Sequence, residues 1–457
     1  MARTRDMTTG SPMKHLILFT LPIIAGNAFQ QLYSLVDSFV VGQVSVDALT
    51  AVASAGWLDW LVLSLAIGLA QGFAIQVAQS FGAGDYSELH RAVGQSLLLS
   101  VATVAVVELL AQATLWPVLV AMDMPQQTIR MTESYLRIIF AGLPLVMGFN
   151  LFSGFLRSVG NSTTPLVAMI CAALTNTVMD VLFVLGLGWG VQGAALATLA
   201  GQGLSCIICV AVILRLPVMR LQRSDLRPDG RMCARLMKLG IPIAFQNLII
   251  SIGGLALQRV VNGFRYAFVA GFNAANRLVG LLELAGTSLG SAVGTFAGQN
   301  LGAGRIDRVK AGTRRAAQLS VLLGVMVAAA MILWGKPLLS LFLTDEDPVK
   351  VAETLAVAYE YLVVMSVGLP MLYLLFAYRT TLQGIGDTVI PMISGGVELV
   401  MRILCAVVLP CLMGEWGIYL SEIAAWIGAA LLLMWGYYHR IHLLESHLPP
   451  LQKGSRG

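Results

Sequence analysis

Long continuous runs of hydrophobic residues dominate this chain, and short polar segments separate them. A helix needs about 20 apolar residues to cross a bilayer, whereas the strands of a membrane barrel alternate polar and apolar residues over about 10 positions. These runs are long and do not alternate, so they predict α-helices that span a membrane. We place twelve of them at residues 16–42, 52–78, 93–119, 134–156, 165–188, 191–214, 235–258, 267–297, 317–343, 355–378, 389–413 and 416–438.

Composition supports an all-α polytopic membrane protein. Of the 457 residues, 57% are hydrophobic and 12% are charged, which is about half the charged fraction of a soluble domain. The net charge of +5 could indicate a nucleic-acid binder, but the basic residues gather in a few loops. Membrane topology explains that clustering, so we predict a lipid bilayer and no nucleic acid as partner. Cys206 and Cys209 form a C-x-x-C inside an apolar run without a second pair, which indicates packing rather than a metal or redox site.

The distribution of Lys and Arg predicts the orientation, because cytoplasmic loops carry an excess of both. With the N-terminus in the cytoplasm, most of these residues fall on cytoplasmic segments, including the basic stretch 215–238. The opposite side keeps only a handful, which are Arg130, Arg259, Arg265, Lys336 and Lys350. Twelve spans return the chain to its starting side, so we predict that both termini are cytoplasmic.

The chain repeats itself once. Four segments of the first half return in the same order in the second half, two at an offset of 220 residues and two at 226. The pairs are LPIIAGN (21–27) with IPIAFQN (241–247), QSFGAG (79–84) with QNLGAG (299–304), YLRIIFAGLP (135–144) with YLVVMSVGLP (361–370), and LRSVGNSTTP (156–165) with LQGIGDTVIP (382–391). Each half holds six predicted helices, and an even number makes the halves parallel repeats.

The repeat predicts two pseudo-symmetric six-helix lobes. We place the N-terminal lobe at 1–214, a cytoplasmic linker at 215–234, the C-terminal lobe at 235–440 and a cytoplasmic tail at 441–457. Transporters that work by alternating access are often built from such repeats. A duplicated scaffold without moving parts is the alternative that the repeat leaves open.

Acidic residues inside the predicted helices are candidates for function, because a charge at the bilayer centre costs at least about 2.5 kcal/mol. Asp37 lies five residues before Gly42, about 7–8 Å from the outer end of the first helix, and Asp180 lies about 12 Å from the outer end of the fifth. Asn176 shares a helix face with Asp180, and Thr198 lies about 10 Å down the sixth helix. These oxygen atoms could together bind a hard cation, and two neighbouring carboxylates could also share a proton.

The second half of the chain serves as an internal control. At the offsets of the repeat, Asp37 corresponds to Leu257, Asp180 to Ala406 and Asn176 to Arg402. The second half repeats the scaffold but lacks these acidic residues, so we predict a single cation site in the N-terminal lobe. A buried hydrogen-bonded pair that only holds that lobe together is the structural alternative.

Other charged residues of the predicted helices need separate interpretations. Glu398 and Arg402 lie four positions apart on one helix, which favours an ion pair between them. Asp59 and Glu422 lie near the ends of their predicted helices and could reach water. Glu108 lies in the middle of the third helix, and the sequence assigns it no role.

The substrate site leaves a weaker signal in the sequence. Glu283 lies inside the eighth predicted helix, where it could face a cavity and contact a cationic substrate. Further candidates for that cavity are Gln30, Gln31, Met147, Phe149 and Phe152. Ordinary packing or lipid contact is the favoured explanation for the aromatic side chains among them. Pro22 and its counterpart Pro242 are either hinges that bend during transport or static kinks.

These motifs resemble the multidrug and toxic compound extrusion (MATE) family. The resemblance covers nearly the whole chain. It rests on the LPIIAGN opening, GAGD (82–85), GAGR (302–305), TFAGQNLGAG (295–304) and the turns G-N-S-T-T-P and G-D-T-V-I-P. It implies twelve helices in two six-helix lobes forming a V, and export of organic, often cationic, compounds in exchange for Na⁺ or H⁺.

The resemblance also implies a cation site. In the family members that this sequence most resembles, the site uses an Asp on the first helix, an Asn and an Asp four residues apart on the fifth, and a Thr on the sixth. The matching positions are Asp37, Asn176, Asp180 and Thr198. These are the same residues that were selected above by their depth in the predicted helices. We expect a monomer without cofactors in the cytoplasmic (inner) membrane of a prokaryote, with small organic molecules as substrates and Na⁺ or H⁺ as coupling ion.

Two other classes of protein stay open. A lipid or lipid-linked-sugar flippase of related fold is expected to carry basic residues in its cavity, whereas here most lie in cytoplasmic loops. Two membrane Asp residues and the G-I-G-D sequence at 384–387 suggest an intramembrane aspartyl protease. Asp387, however, falls in a turn whose repeat counterpart is Asn161. No nucleophile–base pair stands out and all five His residues lie outside the predicted helices, so we predict no enzyme.

Overall fold

The computed structural model describes residues 4–122, 124, 126–341 and 347–447, and no strand occurs among them. Its helices are α1 (Pro12–Gly42), α2 (Val46–Ala83), α3 (Tyr86–Ala121), α4 (Gln126–Ala141), α5 (Leu143–Ser158), α6 (Thr163–Asp180), α7 (Gly190–Ile213), α8 (Gly230–Val261), α9 (Tyr266–Gly302), α10 (Ile306–Ser340), α11 (Pro348–Gly384), α12 (Val389–Met413) and α13 (Trp416–His447). Within the described residues, 11 helices are long and apolar enough to cross a membrane, and α4 with α5 makes a twelfth span if that bent pair counts as one. The predicted all-α membrane fold is confirmed; positions 448–457 of the predicted tail lie outside the described residues.

The fourth span is broken at Gly142, where α4 and α5 meet at 46°. Pro144 lies in the first turn of α5, and its ring removes the amide hydrogen that would bond back to α4. Its repeat counterpart Pro370 lies inside the continuous α11, so the same G-L-P sequence breaks one helix and not the other. A Cβ at Gly142 would lie only 2.0 Å from Cδ2 of Leu199 on α7, so packing against α7 holds the break in place.

Contacts divide the chain into two units. Among the described residues, the first unit contains 4–6 and 17–251, and the second contains 7–16 and 252–447. Each unit has its own hydrophobic interior. The lobe limits that the repeat suggested stay a prediction.

The repeat is visible in the backbone of its turns. Gly84 and Gly304 adopt φ angles of 70° and 69°, and Gly160 and Gly386 adopt 82° and 85°. Glycine is favoured in this left-handed region because it has no Cβ. The two halves therefore place glycine at matching turns for the same conformational reason.

Helix capping also repeats. Oδ1 of Asn161 accepts a hydrogen bond from the backbone N–H of Thr164 at 3.0 Å, and Oδ1 of Asp387 accepts one from Ile390 at 3.2 Å. Asp387 additionally faces Arg440, with 3.8 Å between Oδ2 and Nε. The prediction that Asp387 lies in a turn is confirmed, and its capping role accounts for the G-I-G-D sequence.

Candidate functional site

Asp37 and Asp180 are neighbours in the first unit. Asp37 comes from α1 and Asp180 from the last residue of α6, and their carboxyl groups lie close enough for a hydrogen bond if one of them is protonated. Asp180 is fully buried and Asp37 is partly buried. The two aspartates, which the sequence placed at similar depths in their helices, are thus neighbours in the fold.

Several polar atoms of this pair and of Asn176 are buried without a hydrogen-bond partner among the described residues. They are Oδ1 of Asp37, both carboxylate oxygens of Asp180, and both amide atoms of Asn176. An unsatisfied buried polar group costs about 1–3 kcal/mol. Carboxylate and amide oxygens are donors that suit a hard cation, and adjacent carboxylates also suit a shared proton. The donor set therefore fits either coupling ion.

The helix geometry changes directly after Asp180. Residues Val181–Gly186 continue α6 as a π-helix, and the Leu187 amide donates to the Leu182 carbonyl five residues earlier at 2.8 Å. Such segments are rare and occur often at functional sites. Hydrophobic periodicity did not reveal this segment, because its residues are as apolar as those of the preceding α-helix.

Gly201 lets α7 approach α6 beside Asn176. A Cβ at this position would lie 2.8 Å from the carbonyl oxygen of Ala172 and 3.3 Å from Cβ of Asn176. Thr198 lies three residues earlier on α7 and is partly buried. The close approach therefore fixes the face of α6 that carries Asn176 and Asp180.

Two tyrosines extend the polar cluster. Tyr33 on α1 lies within hydrogen-bonding reach of Gln30 and Gln202, and within electrostatic range of Asp37. Tyr135 on α4 also lies within electrostatic range of Asp37. Tyr33 was not among the residues predicted for the site, although it lies four residues before Asp37 and so shares its helix face.

Asp59 belongs to the same region. Asp59 is partly buried, and its Oδ1 is buried without a partner among the described residues, so the expectation that Asp59 reaches water stays a prediction. It lies within electrostatic range of Tyr33 and Tyr135. The described part of the chain has no group of three His, Cys, Asp or Glu residues that could hold a metal ion.

The corresponding positions of the second unit are apolar and packed. Leu257 and Ala406, the counterparts of Asp37 and Asp180, are 4% and 1% exposed and belong to the same hydrophobic cluster. The fold therefore accommodates apolar side chains at these positions, and the acids in the first half are not a requirement of the architecture.

The second unit instead contains a buried chain of ion pairs. Arg379 contacts Glu398 at 2.8 Å, and Arg402 contacts both Glu398 and Glu422 at 3.0 Å. The predicted pair of Glu398 with Arg402 is confirmed. The expectation that Glu422 reaches water is wrong, because its side chain is only 12% exposed and pairs with Arg402.

Glu283 lies beside this chain of ion pairs. It is partly buried and within electrostatic range of Glu398, Glu422, Arg402 and Arg379. Its role as a contact for a cationic substrate stays a prediction.

The other proposed cavity residues divide into two groups. Met147 and Phe149 are 1% and 8% exposed and lie in a hydrophobic cluster of the first unit, so they pack in the core, and their role in a substrate cavity stays a prediction. Phe152 is partly buried against that cluster. Gln30 is exposed and Gln31 is partly buried, which leaves their substrate role a prediction.

Pro22 and Pro242 lie inside α1 and α8, and both helices continue past them. Each proline removes one backbone hydrogen bond from its helix and so weakens the helix locally without ending it. Their role as hinges stays a prediction.

A duplicated set of membrane-spanning helices, with a neighbouring aspartate pair in one half, defines a polytopic membrane protein of the transporter class. The family model named MatE matches residues 22–182 and 242–408. The starts of the two matched segments differ by the repeat offset of 220 and their ends by 226, as the internal repeat requires. The chain belongs to this family, the multidrug and toxic compound extrusion family, and the predicted resemblance is confirmed.

Individual relatives match nearly the whole chain. The probable multidrug resistance protein YoeA of Bacillus subtilis (strain 168) is 28% identical over 455 residues, which is 95% of each chain. A FAD transporter of Shewanella oneidensis is 26% identical over 351 residues, or 75% of this chain and 77% of that protein. A solved outward-facing conformation of a multidrug resistance MATE family transporter has a TM-score of 0.90 at 22% identity, and the match covers 97% of this chain and 100% of that one.

Proposed function

We propose that this protein is a secondary active antiporter that exports organic, cationic compounds in exchange for Na⁺ or H⁺. Membership of the MatE family and a relative named as a probable multidrug resistance protein support export. The observation that carries the proposal of ion coupling is the pair of Asp37 and Asp180, whose buried oxygens have no partner among the described residues.

Ion binding at the aspartate pair would change the relative positions of α1 and α6. A cation or proton between Asp37 and Asp180 removes the repulsion between two carboxylates and favours close contact of α1 with the end of α6. Loss of the ion restores the repulsion. Transport is coupled only if the ion and the drug favour different conformations, and we propose that ion binding favours the inward-open one. Pro22 lies on α1, where it could transmit the change.

The charge distribution supports the proposed orientation in the membrane. An excess of Lys and Arg on one side supports an orientation with both termini in the cytoplasm. We place the protein in the cytoplasmic membrane of a prokaryote, as a monomer without an enzymatic activity.

Reconstituted vesicles test the proposed exchange. A fluorescent organic cation is loaded, and its movement is measured first under a Na⁺ gradient at equal pH and then under a pH gradient at equal Na⁺. We expect transport above the level of protein-free vesicles under at least one gradient, because the aspartate pair fits either ion. Absence of transport under both gradients would contradict antiport of organic cations.

Two further arms of this assay test the substrate class. The relative named as a FAD transporter makes FAD the appropriate anionic comparison. Movement of FAD without movement of the cation would overturn the cationic substrate and retain transport. Gradient-independent movement of a fluorescent lipid analogue would favour the flippase alternative.

A substitution outside the charged groups tests the geometry of the site. We expect Gly201→Ala to weaken ion binding about tenfold, because its Cβ would collide with the Ala172 carbonyl and move α7 away from α6. The measurement is the rise in melting temperature of the purified protein with increasing Na⁺ or decreasing pH.

Gly203→Ala is the matched control. Its Cβ would meet only Cδ1 of Leu145 at 3.6 Å, an ordinary contact, so ion binding should be unchanged. Equal effects of the two substitutions would show that the spacing of α6 and α7 at Asn176 does not shape the site.

A further inference from the structure

A cavity of about 1090 Å³ lies in the first unit, far from the aspartate pair. Its wall includes Ser162, Thr163 and Thr164 at the beginning of α6, whereas Asp180 is the last residue of that helix. A helix of 18 residues is about 27 Å long. The cavity is therefore separate from the proposed ion site and lies at the opposite end of the same helix.

Two arginines face this cavity without an ion-pair partner among the described residues. Arg5 and Arg215 both line it, and neither guanidinium group has an ion pair with any residue that the structure describes. The two arginines come from separate elements, the segment before α1 and the segment after α7. An anion bound in the cavity would be attracted electrostatically by both guanidinium groups.

A buried hydroxyl group adds an independent indication. Ser162 is only 5% exposed, lines the cavity and occupies the N-cap of α6 without making a capping bond. Its side chain places a hydroxyl group in the cavity wall. Thr163 and Thr164 place further hydroxyl-bearing side chains in the wall, and the beginning of a helix favours negative charge.

In the second unit, the corresponding turn carries a carboxylate that faces an arginine. Asp387 stands there at the position of Asn161 and faces Arg440 at 3.8 Å. Arg440 lies one residue from the repeat counterpart of Arg215 at the offset of 226. An internal carboxylate thus accompanies the arginine in the second unit, whereas the first unit has a neutral amide at that position.

The second turn keeps only one of the three hydroxyl groups, because Ser162 corresponds to Thr388. Thr163 and Thr164 correspond to Val389 and Ile390, which have no hydroxyl group. The two turns share their glycine and their capping bond, so the hydroxyl groups of Thr163 and Thr164 and the uncompensated charge of the first turn are not needed for the fold of the turn.

We propose that this cavity binds the phosphate group of an anionic phospholipid. Guanidinium groups and hydroxyl groups are suited to phosphate oxygens, and arginine can bind them in a bidentate manner. The wall also contains apolar side chains, among them Leu18 and Val167, which are 42% and 47% exposed. Acyl chains can cover these side chains, whereas inorganic phosphate can use only the polar part of the cavity. The proposal goes beyond the proposed transport function and requires no ion gradient.

Lipid binding to the purified full-length protein tests this proposal. Native mass spectrometry and melting temperature are measured with phosphatidylglycerol, with phosphatidylcholine and with inorganic phosphate alone. We expect preferential binding of phosphatidylglycerol and an increase in melting temperature with it. The double variant Arg5→Gln, Arg215→Gln should weaken that binding at least about tenfold, because it removes two charge-assisted contacts.

Two further variants make the test specific. Arg220→Gln with Arg223→Gln removes the same charge from exposed positions outside the cavity wall and should leave the preference intact. Asn161→Asp keeps the capping oxygen and supplies the carboxylate that the second unit has, so it should abolish the preference in a folded protein.

Three results would overturn the proposal. The first is an unchanged preference for phosphatidylglycerol in both the Arg5/Arg215 variant and Asn161→Asp. The second is an equal loss in the Arg220/Arg223 variant, which would indicate general surface charge. The third is full stabilisation by inorganic phosphate alone, which would make the cavity a site for a free anion and not for a lipid.

Discussion

Asp37→Asn is expected to abolish ion-driven efflux while the protein stays in the membrane. The amide cannot take up and release a proton as a carboxylate does. It also offers a cation one neutral oxygen in place of a carboxylate. Asp180→Asn should have the same effect, since the two carboxyl groups lie within hydrogen-bonding reach of each other. Efflux in vesicles under the active gradient should fall to the level of protein-free vesicles. Asp47→Asn is the control, because Asp47 is an exposed acid in the first turn of α2, and it should retain efflux.

The repeat offers a sharper version of this experiment. The double variant Asp37→Leu, Asp180→Ala gives the first half the residues that its counterpart packs at Leu257 and Ala406. If the acids serve coupling, this variant should fold, melt at or above the wild-type temperature and fail to couple. If the acids only hold the lobe together, its melting temperature should fall. Efflux that remains coupled in Asp37→Asn would contradict the proposed ion site.

Arg402→Met should cause the largest loss of stability in the second unit. The substitution leaves Glu422 buried without its ion-pair partner and removes one of the two partners of Glu398. Breaking a buried ion pair from one side costs about 3–5 kcal/mol, which corresponds to a decrease in melting temperature of roughly 10 °C for a unit of this size. Thermal unfolding of the purified protein, followed by tryptophan fluorescence, measures the effect.

An exposed arginine with two acidic partners is the matched control. Arg265 pairs with Glu353 and Glu415, and its side chain is 50% exposed, so Arg265→Met should cost no more than about 1 kcal/mol. A second comparison adds Glu422→Gln to Arg402→Met. Removing both charges should recover part of the stability that the single substitution loses. Equal losses for Arg402→Met and Arg265→Met would show that burial does not increase the cost.

Hydrophobic pattern and repeat were sufficient for much of the molecule. The lengths of the apolar runs predicted twelve spans because the thickness of the bilayer sets the length of a helix that crosses it. The repeat predicted matching turns because glycine is needed where the backbone adopts positive φ, as at Gly160 and Gly386. Depth from the helix ends placed Asp37 and Asp180 in neighbouring layers, because the rise per residue of a helix is constant.

Tertiary structure alone decided which groups actually meet. Spacing along one helix identified Glu398 with Arg402, but their partners Arg379 and Glu422 come from α11 and α13, and one-dimensional spacing carries no information about contacts between helices. The burial of Oδ1 of Asp59, the π-helix after Asp180 and the packing of Met147 and Phe149 likewise depend on neighbouring helices. The sequence by itself thus determined the helices, their repeat and the depth of the acids, while packing between helices determined which charges are paired and which polar atoms remain available to an ion.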